Sequence, residues 1–246
     1  MDFKIFNTFF IIATKTFLFP GLPTVEKTLP ELLQTSGYST HLIGKWHLGY
    51  CHQDYTPTRR GFHSFFGSLA QQSDHFTREH TINKYIGSGY DLWRNGKISQ
   101  EGEGQYSTHL WKNETVQLIQ SLNSSVPWFI ELATTAPHTP YQVPPNYSEV
   151  YKTKQRKHDK DEVVRKGMVT ALDESFGEIV ETLKKTGHYD NTLIIFCSDN
   201  GAGSREGNYP LRGKKGEVFE GGVRVPAMIH SPLLRKYSNL KLGFTR

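Results

Sequence analysis

The apolar positions of this chain change period several times, and each change marks an element. Thr28-Leu29-Pro30-Glu31 carries the signature of a capping box, Leu29, Leu32 and Leu33 then fall on one helical face, and Gly37 supplies a stop. Residues 38–43 alternate as a half-buried strand does and run into Gly44-Lys45-Trp46-His47-Leu48-Gly49. Residues 56–105 are rich in Gly, Ser and aromatics with no sustained period, and read as an extended excursion. Helical spacing returns at Trp111, Thr115, Leu118, Ile119 and Leu122, and again at Leu172, Phe176, Ile179, Val180 and Leu183, where Gly187 ends it. Two short apolar runs, Trp128-Phe129-Ile130-Glu131-Leu132-Ala133 and residues 193–198, read as buried strands. Each helix precedes a strand, so the pattern predicts an α/β fold with a largely parallel sheet and helices on both faces.

Polar chemistry collects at the downstream ends of these strands. Ligands of open α/β sheets bind outside the carboxyl ends of the strands, so Lys45 and His47 bring a cation and a titratable base to where an anionic substrate would sit. The second strand opens into Thr134-Thr135-Ala136-Pro137-His138-Thr139-Pro140, where two prolines stiffen the backbone around one histidine. The third is followed at once by Asp199-Asn200-Gly201, readable as an ordinary turn or as two oxygen ligands for a hard cation. Core packing has no use for polar groups at that end of a strand, and three such ends together point to an enzyme.

Six segments in order carry a resemblance to a known family: Gly37 through Gly49, Pro57-Thr58-Arg59-Arg60-Gly61-Phe62, Pro137-His138, Ser198-Asp199-Asn200-Gly201, Pro210-Leu211-Arg212-Gly213-Lys214-Lys215 and Glu220-Gly221-Gly222-Val223-Arg224. Over residues 22–234 the chain resembles the sulfatases, and within them the arylsulfatases that act on sulfated glycans. The resemblance implies a sulfuric ester hydrolase with an alkaline-phosphatase-like fold, incomplete on its N-terminal side. It implies that Lys45 and His47 flank the nucleophile, with His47 the base that breaks down the sulfated intermediate. His138 would contact the sulfate and help protonate the leaving oxygen, Lys215 would bind a sulfate oxygen, and Asp199 with Asn200 would coordinate a calcium ion. These residue types suit the reaction, because a sulfate ester repels a bare nucleophile until cations neutralise its oxygens.

In that family the nucleophile is a formylglycine made from the cysteine of a Cys-x-Pro-Ser-Arg segment, and no such segment occurs in these 246 residues. Cys51 is followed by His52-Gln53-Asp54, and Cys197 lies in the apolar run before Asp199, so neither fills the place. The family also takes metal-binding aspartates from a strand near the domain start, which leaves the expected calcium site incomplete. The expectation is a partial sulfatase catalytic domain over residues 22–246, inactive alone. The alternative is a noncatalytic protein that holds sulfated glycans.

The formal net charge of +5 suits any polyanionic partner without choosing among them. The charge run from Lys152 to Lys166 is interrupted by Asp159, Asp161 and Glu162 and reads as a solvated surface; no nucleic-acid motif accompanies it. The expected partner is a sulfated small molecule or a glycosaminoglycan. Asn113, Asn123 and Asn146 head three glycosylation sequons, which with the resemblance place the protein in the secretory pathway, lysosomal or secreted. Residues 1–21 form an atypical start, part of it resembling a poor signal peptide, and no transmembrane helix is expected.

Other clusters read more plainly. His47, Cys51 and His52 lack the second ligand pair of a zinc site, and His75 and His80 read as exposed loop residues. Arg59 and Arg60 suit either sulfate binding or anchorage to a carboxylate, and Gly221-Gly222 reads as a close backbone approach. A two-metal phosphatase or phosphodiesterase would want more His and Asp ligands in these loops. Substrate choice is expected in the 56–105 excursion and in any missing carboxyl-terminal domain.

Overall fold

A computed structural model describes residues 21–71, 73–83, 87–152 and 160–237. The signal-like reading of the N-terminal segment and much of the Lys152 to Lys166 charge run therefore lie outside the described residues. The chain divides into two compact units, Met1–Thr182 and Leu183–Arg246.

The first unit contains, in chain order, α1 (Leu29–Thr35), β1 (Ser39–Lys45), β2 (Ser64–Ser68), β3 (Glu79–Asn83), β4 (Gly87–Tyr90), β5 (Trp93–Arg94), β6 (Lys97–Ile98), α2 (Ser107–Ser121), β7 (Trp128–Ala133), α3 (Pro145–Glu149) and most of α4 (Lys160–Lys185). The Thr28 side chain caps α1 by accepting from the Glu31 N–H, while the Glu31 carboxylate accepts from the Thr28 N–H, the reciprocal box that the sequence predicts. Five strands form one sheet in the order β6-β5-β2-β1-β7. Its centre is parallel, β1 pairing with β2 on one side and β7 on the other, and β5 and β6 extend one edge antiparallel. β3 and β4 make a separate hairpin.

The central strands β1 and β2 are buried on both faces, whereas β7, read from the sequence as a buried strand, is only half-buried with Glu131 exposed, and β6 at the other edge is exposed. Leu42 and Phe65 pack with Trp46, Phe62 and Leu69 on one face. Their neighbours Ile43 and Phe66 pack on the other against Leu92, Leu110 and Trp111. Burying each such side chain contributes about 1.5–3 kcal/mol. Here the structure corrects the sequence. The 56–105 segment is no plain excursion: it supplies β2, a central strand, hidden because Ser-Phe-Phe-Gly-Ser is buried on both faces and shows no alternation. Arg94 on β5 ties the same segment down, pairing with Glu101 and Glu114 while its guanidinium lies over the Phe66 ring.

The second unit holds β8 (Ile194–Cys197), α5 (Glu220–Val223) and β9 (Ala227–His230). The residue 193–198 strand forms as expected, but among the described residues it pairs only with β9, antiparallel, in a two-stranded sheet. Ile195, Phe196, Met228 and Ile229 of that sheet stay exposed. Among the described residues no helix is long and apolar enough to cross a membrane.

Candidate active site

In the first unit, adjacent parallel strands deliver the candidate residues to one sheet edge. Lys45 is the last residue of β1, opposite Ser68 of β2, and His47 follows two residues on. Residues 134–140, carrying His138, leave the same end of β7, which is paired to β1 through Gly44 and Ala133. Close approach there demands a small residue: a Cβ on Gly44 would lie 2.1 Å from the Ala133 carbonyl oxygen, and Gly44 also has a φ of 107°.

The Lys45 to Gly49 loop is built tightly. The Trp46 indole N–H donates to the carbonyls of Gly49 and Tyr55, at 3.0 and 2.9 Å. Trp46 and His47 N–H groups donate to the carbonyls of Ser68 and Leu69, extending the β1–β2 ladder into the loop. Beyond it, the buried Asp91 carboxylate accepts from the N–H groups of Leu69 and Ala70, the Ser73 hydroxyl and the Trp93 indole. His47 itself adopts a φ of 52°. A non-glycine residue held in the left-handed region costs stability, and such residues cluster where a site needs a side chain aimed in one direction.

His138 is half-buried, and its ring is oriented by its own loop. Nδ1 lies 2.8 Å from the Thr139 carbonyl oxygen, which only accepts, so Nδ1 carries a proton and the neutral ring keeps its lone pair on Nε2. The loop is held from behind by His75, only 1% exposed, whose Nε2 donates to the His138 carbonyl at 3.2 Å. Nδ1 of His75 lies 2.6 Å from the Ser107 hydroxyl, and the His75 N–H donates to Gln142. His75 is thus no exposed loop residue, contrary to the sequence reading; burial pushes its pKa below the usual imidazole value. His80 sits half-buried on β3.

Arg60 resolves the sequence ambiguity in favour of anchorage. It is 1% exposed, donates to Glu31 at 3.0 Å and to the carbonyls of Leu22 and Glu26, and reaches no candidate site residue. Arg59 is exposed.

In the second unit one asparagine knots the candidate loops together. The Asn208 amide donates to the carbonyls of Ala202, Ser204 and Gly213, and its Oδ1 accepts from the Ala202 N–H. The Lys215 N–H donates to the Ala202 carbonyl, so Lys215 is held beside the chain that follows Asp199-Asn200-Gly201. The Gly201 N–H donates to the Gly222 carbonyl, and a Cβ on Gly201 would lie 1.8 Å from the Gly221 oxygen, the close approach expected of Gly221-Gly222.

Asp199 accepts from the Asn200 N–H, and the Asn200 amide donates to Gly201. Calcium takes six to eight oxygen ligands. Among the described residues, no group of three or more His, Cys, Asp or Glu side chains is placed to hold a metal ion. Neither cysteine forms a disulfide, and both are exposed.

The sequence model of one family, described as Sulfatase, matches residues 5–239. Arylsulfatase J of Mus musculus is 38% identical over 221 residues, an alignment covering 87% of this chain and 36% of that protein. N-acetylgalactosamine-6-sulfatase of Homo sapiens is 31% identical, covering 86% and 41%. The crystal structure of Ps i-CgsB in complex with k-i-k-neocarrahexaose superposes with a TM-score of 0.75 at 35% identity, over 86% of this chain and 49% of that one. The chain thus spans well under two thirds of the length of these relatives.

Proposed function

We infer, from the premise that this chain belongs to the sulfatase family, that its residues 22–246 recognise a sulfate ester of a glycan through Lys45, His138 and Lys215. The observation that carries this reading is the delivery of Lys45, His47 and His138 to one sheet edge by the paired parallel strands β1 and β7. The two ammonium groups neutralise sulfate oxygens. They act as charge-assisted donors, each contributing about 1.5–3 kcal/mol. His138, its Nδ1–H spent on the Thr139 carbonyl, holds in its protonated form a second proton on Nε2 for the leaving oxygen. His47 is the base positioned by the Lys45 to Gly49 loop.

In the family a formylglycine supplies the nucleophile, and these 246 residues hold no cysteine in its signature. Asp199 and Asn200 are assigned as two ligands of a calcium ion whose other ligands they do not supply. The chain alone is therefore a binder rather than a catalyst, a property shared with the noncatalytic glycan-binding alternative. Support for a glycan comes from a relative named N-acetylgalactosamine-6-sulfatase and from a neighbour crystallised with k-i-k-neocarrahexaose.

The test is hydrolysis of 4-nitrocatechol sulfate by residues 1–246 beside the Lys45→Ala, His138→Ala double variant. Equal, background rates are expected. Turnover well above that control would show that another group on this chain acts as nucleophile. A gain of activity when a Cys-x-Pro-Ser-Arg segment is supplied upstream would favour the hydrolase over the binder. Placement in the secretory pathway, lysosomal or secreted, rests on the family resemblance and on the three sequons, whose Asn113, Asn123 and Asn146 are all exposed. Expression in a secreting cell should give a species whose mobility shifts with endoglycosidase; an unshifted species would contradict the placement.

A further inference from the structure

Within the second unit, between the Asn208 knot and α5, lies a cleft of about 290 Å³. It is lined in part by Arg205, Tyr209, Arg212, Gly213, Glu217 and Phe219. None of these has a role in the reading above. The volume sits at the small end for ligand sites, about 300 Å³, which suits a single ring better than a chain.

Its lining has unspent bonding capacity of three kinds. Tyr209 is 86% exposed, so its ring offers an open apolar face with a hydroxyl at the tip. The Arg212 guanidinium carbon lies over the Phe219 ring, 3.8 Å from the centroid, and the guanidinium has no hydrogen bond or ion pair among the described residues. That stacking fixes the fork while leaving its N–H edge for an acceptor. Glu217 Oε1 receives only a long 3.4 Å contact from Arg205, and Glu217 Oε2 is buried with no partner. An unsatisfied buried carboxylate oxygen costs about 1–3 kcal/mol, and a native group of this kind calls for an explanation. Gly213 keeps the space open: a Cβ there would stand 2.7 Å from the Phe219 Cβ and 3.2 Å from Glu217 Oε2.

A ligand that satisfies all three must present an apolar ring face, a hydroxyl donor and an anionic group within one ring's breadth. A hydroxylated hydrocarbon lacks the anion, and inorganic sulfate lacks the face and the donor. We propose that this cleft is a sugar subsite for a neighbouring anionic residue of the substrate glycan. Tyr209 stacks on the pyranose ring, Arg212 and Arg205 bind its sulfate, and Glu217 accepts from a ring hydroxyl. The inference deepens the glycan-sulfatase reading and rests on it. It places a determinant of substrate length and charge on the loop that also carries Lys215.

The test is calorimetric binding to the full chain of three probes: a galactose-based tetrasaccharide with one sulfate per residue, its desulfated counterpart, and inorganic sulfate. Tyr209→Ala and Arg212→Ala should each weaken the sulfated tetrasaccharide about tenfold and leave inorganic sulfate unchanged. Tyr209→Phe should keep the affinity, and Arg212→Lys, which retains charge but loses the fork, should not. Unchanged tetrasaccharide affinity in folded Tyr209→Ala and Arg212→Ala overturns the subsite, as do equal affinities for the sulfated and desulfated probes or no tetrasaccharide binding at all. Lys215→Ala reports on the underlying reading instead: inorganic sulfate bound as tightly without Lys215 contradicts the assignment of the sulfate site, whatever the tetrasaccharide does.

Discussion

A buried imidazole is held neutral by its surroundings, and His75 is the clearest case here. Its Nε2 proton goes to the His138 carbonyl and its Nδ1 faces the Ser107 hydroxyl, and a second proton would bury a charge away from water. Burial sets its pKa below the unfolded value of about 6.5, and it does the same for His41, with His63 nearby, and for His109. Above pH 7 these rings are neutral folded or unfolded. As pH falls through about 6.5 the unfolded chain takes up protons that the fold refuses, and stability is lost at roughly 1.4 kcal/mol per pH unit for each proton. Glu31 behaves oppositely, since burial is outweighed by the Thr28 N–H and Arg60, and Glu101 is lowered by Arg94; their contribution is lost only below about pH 4.5. The urea midpoint should therefore fall between pH 7 and 5.5, and fall less steeply in His75→Gln whatever its starting value. An identical slope in the variant would refute the role of His75. The sequence concealed this residue because Ser73-Asp74-His75-Phe76-Thr77 has the composition of a loop, and only the tertiary contacts with Ser107 and Gln142 bury it.

At the scale of elements, what was legible followed from local rules. The Thr28 capping box closes α1 locally, and apolar spacing marks the helices around Trp111 and Phe176 and the strands entering Lys45 and His138, although the helix around Phe176 begins at Lys160, ahead of that spacing. β2 and the role of Arg60 depend on partners distant in sequence. Arg60 fastens the turn before β2 to α1 and to the segment ahead of it through three donors. Replacing it by Ala takes the donors from the half-buried carbonyls of Leu22 and Glu26 and the cation from Glu31, so Arg60→Ala should cost about 1.5–3 kcal/mol in denaturant unfolding. Its exposed neighbour gives the control, Arg59→Ala falling within about 0.5 kcal/mol. Equal, small effects would mean that Arg60 is not the anchor.

For the whole molecule, family membership was legible because six motifs stand in order along 246 residues, and the family match over residues 5–239 agrees. The roles of Lys45, His47, His138, Asp199, Asn200 and Lys215 remain assignments by family resemblance, supported by strand-end geometry in the first unit and by the Asn208 knot in the second. The Asn208 knot was not read from the sequence, because Gly207-Asn208-Tyr209 looks like any turn until its amide is seen to gather three carbonyls. The central claim, that this chain recognises a sulfate ester with two lysines and a histidine, is tested most directly by titrating residues 1–246 with 4-nitrocatechol sulfate in a calorimeter. Loss of one charge-assisted bond of about 1.5–3 kcal/mol predicts affinities roughly 10- to 100-fold weaker in each of Lys45→Ala, His138→Ala and Lys215→Ala, with Arg59→Ala unchanged. Binding that is the same in all four variants, or absent from the parent chain, would contradict it.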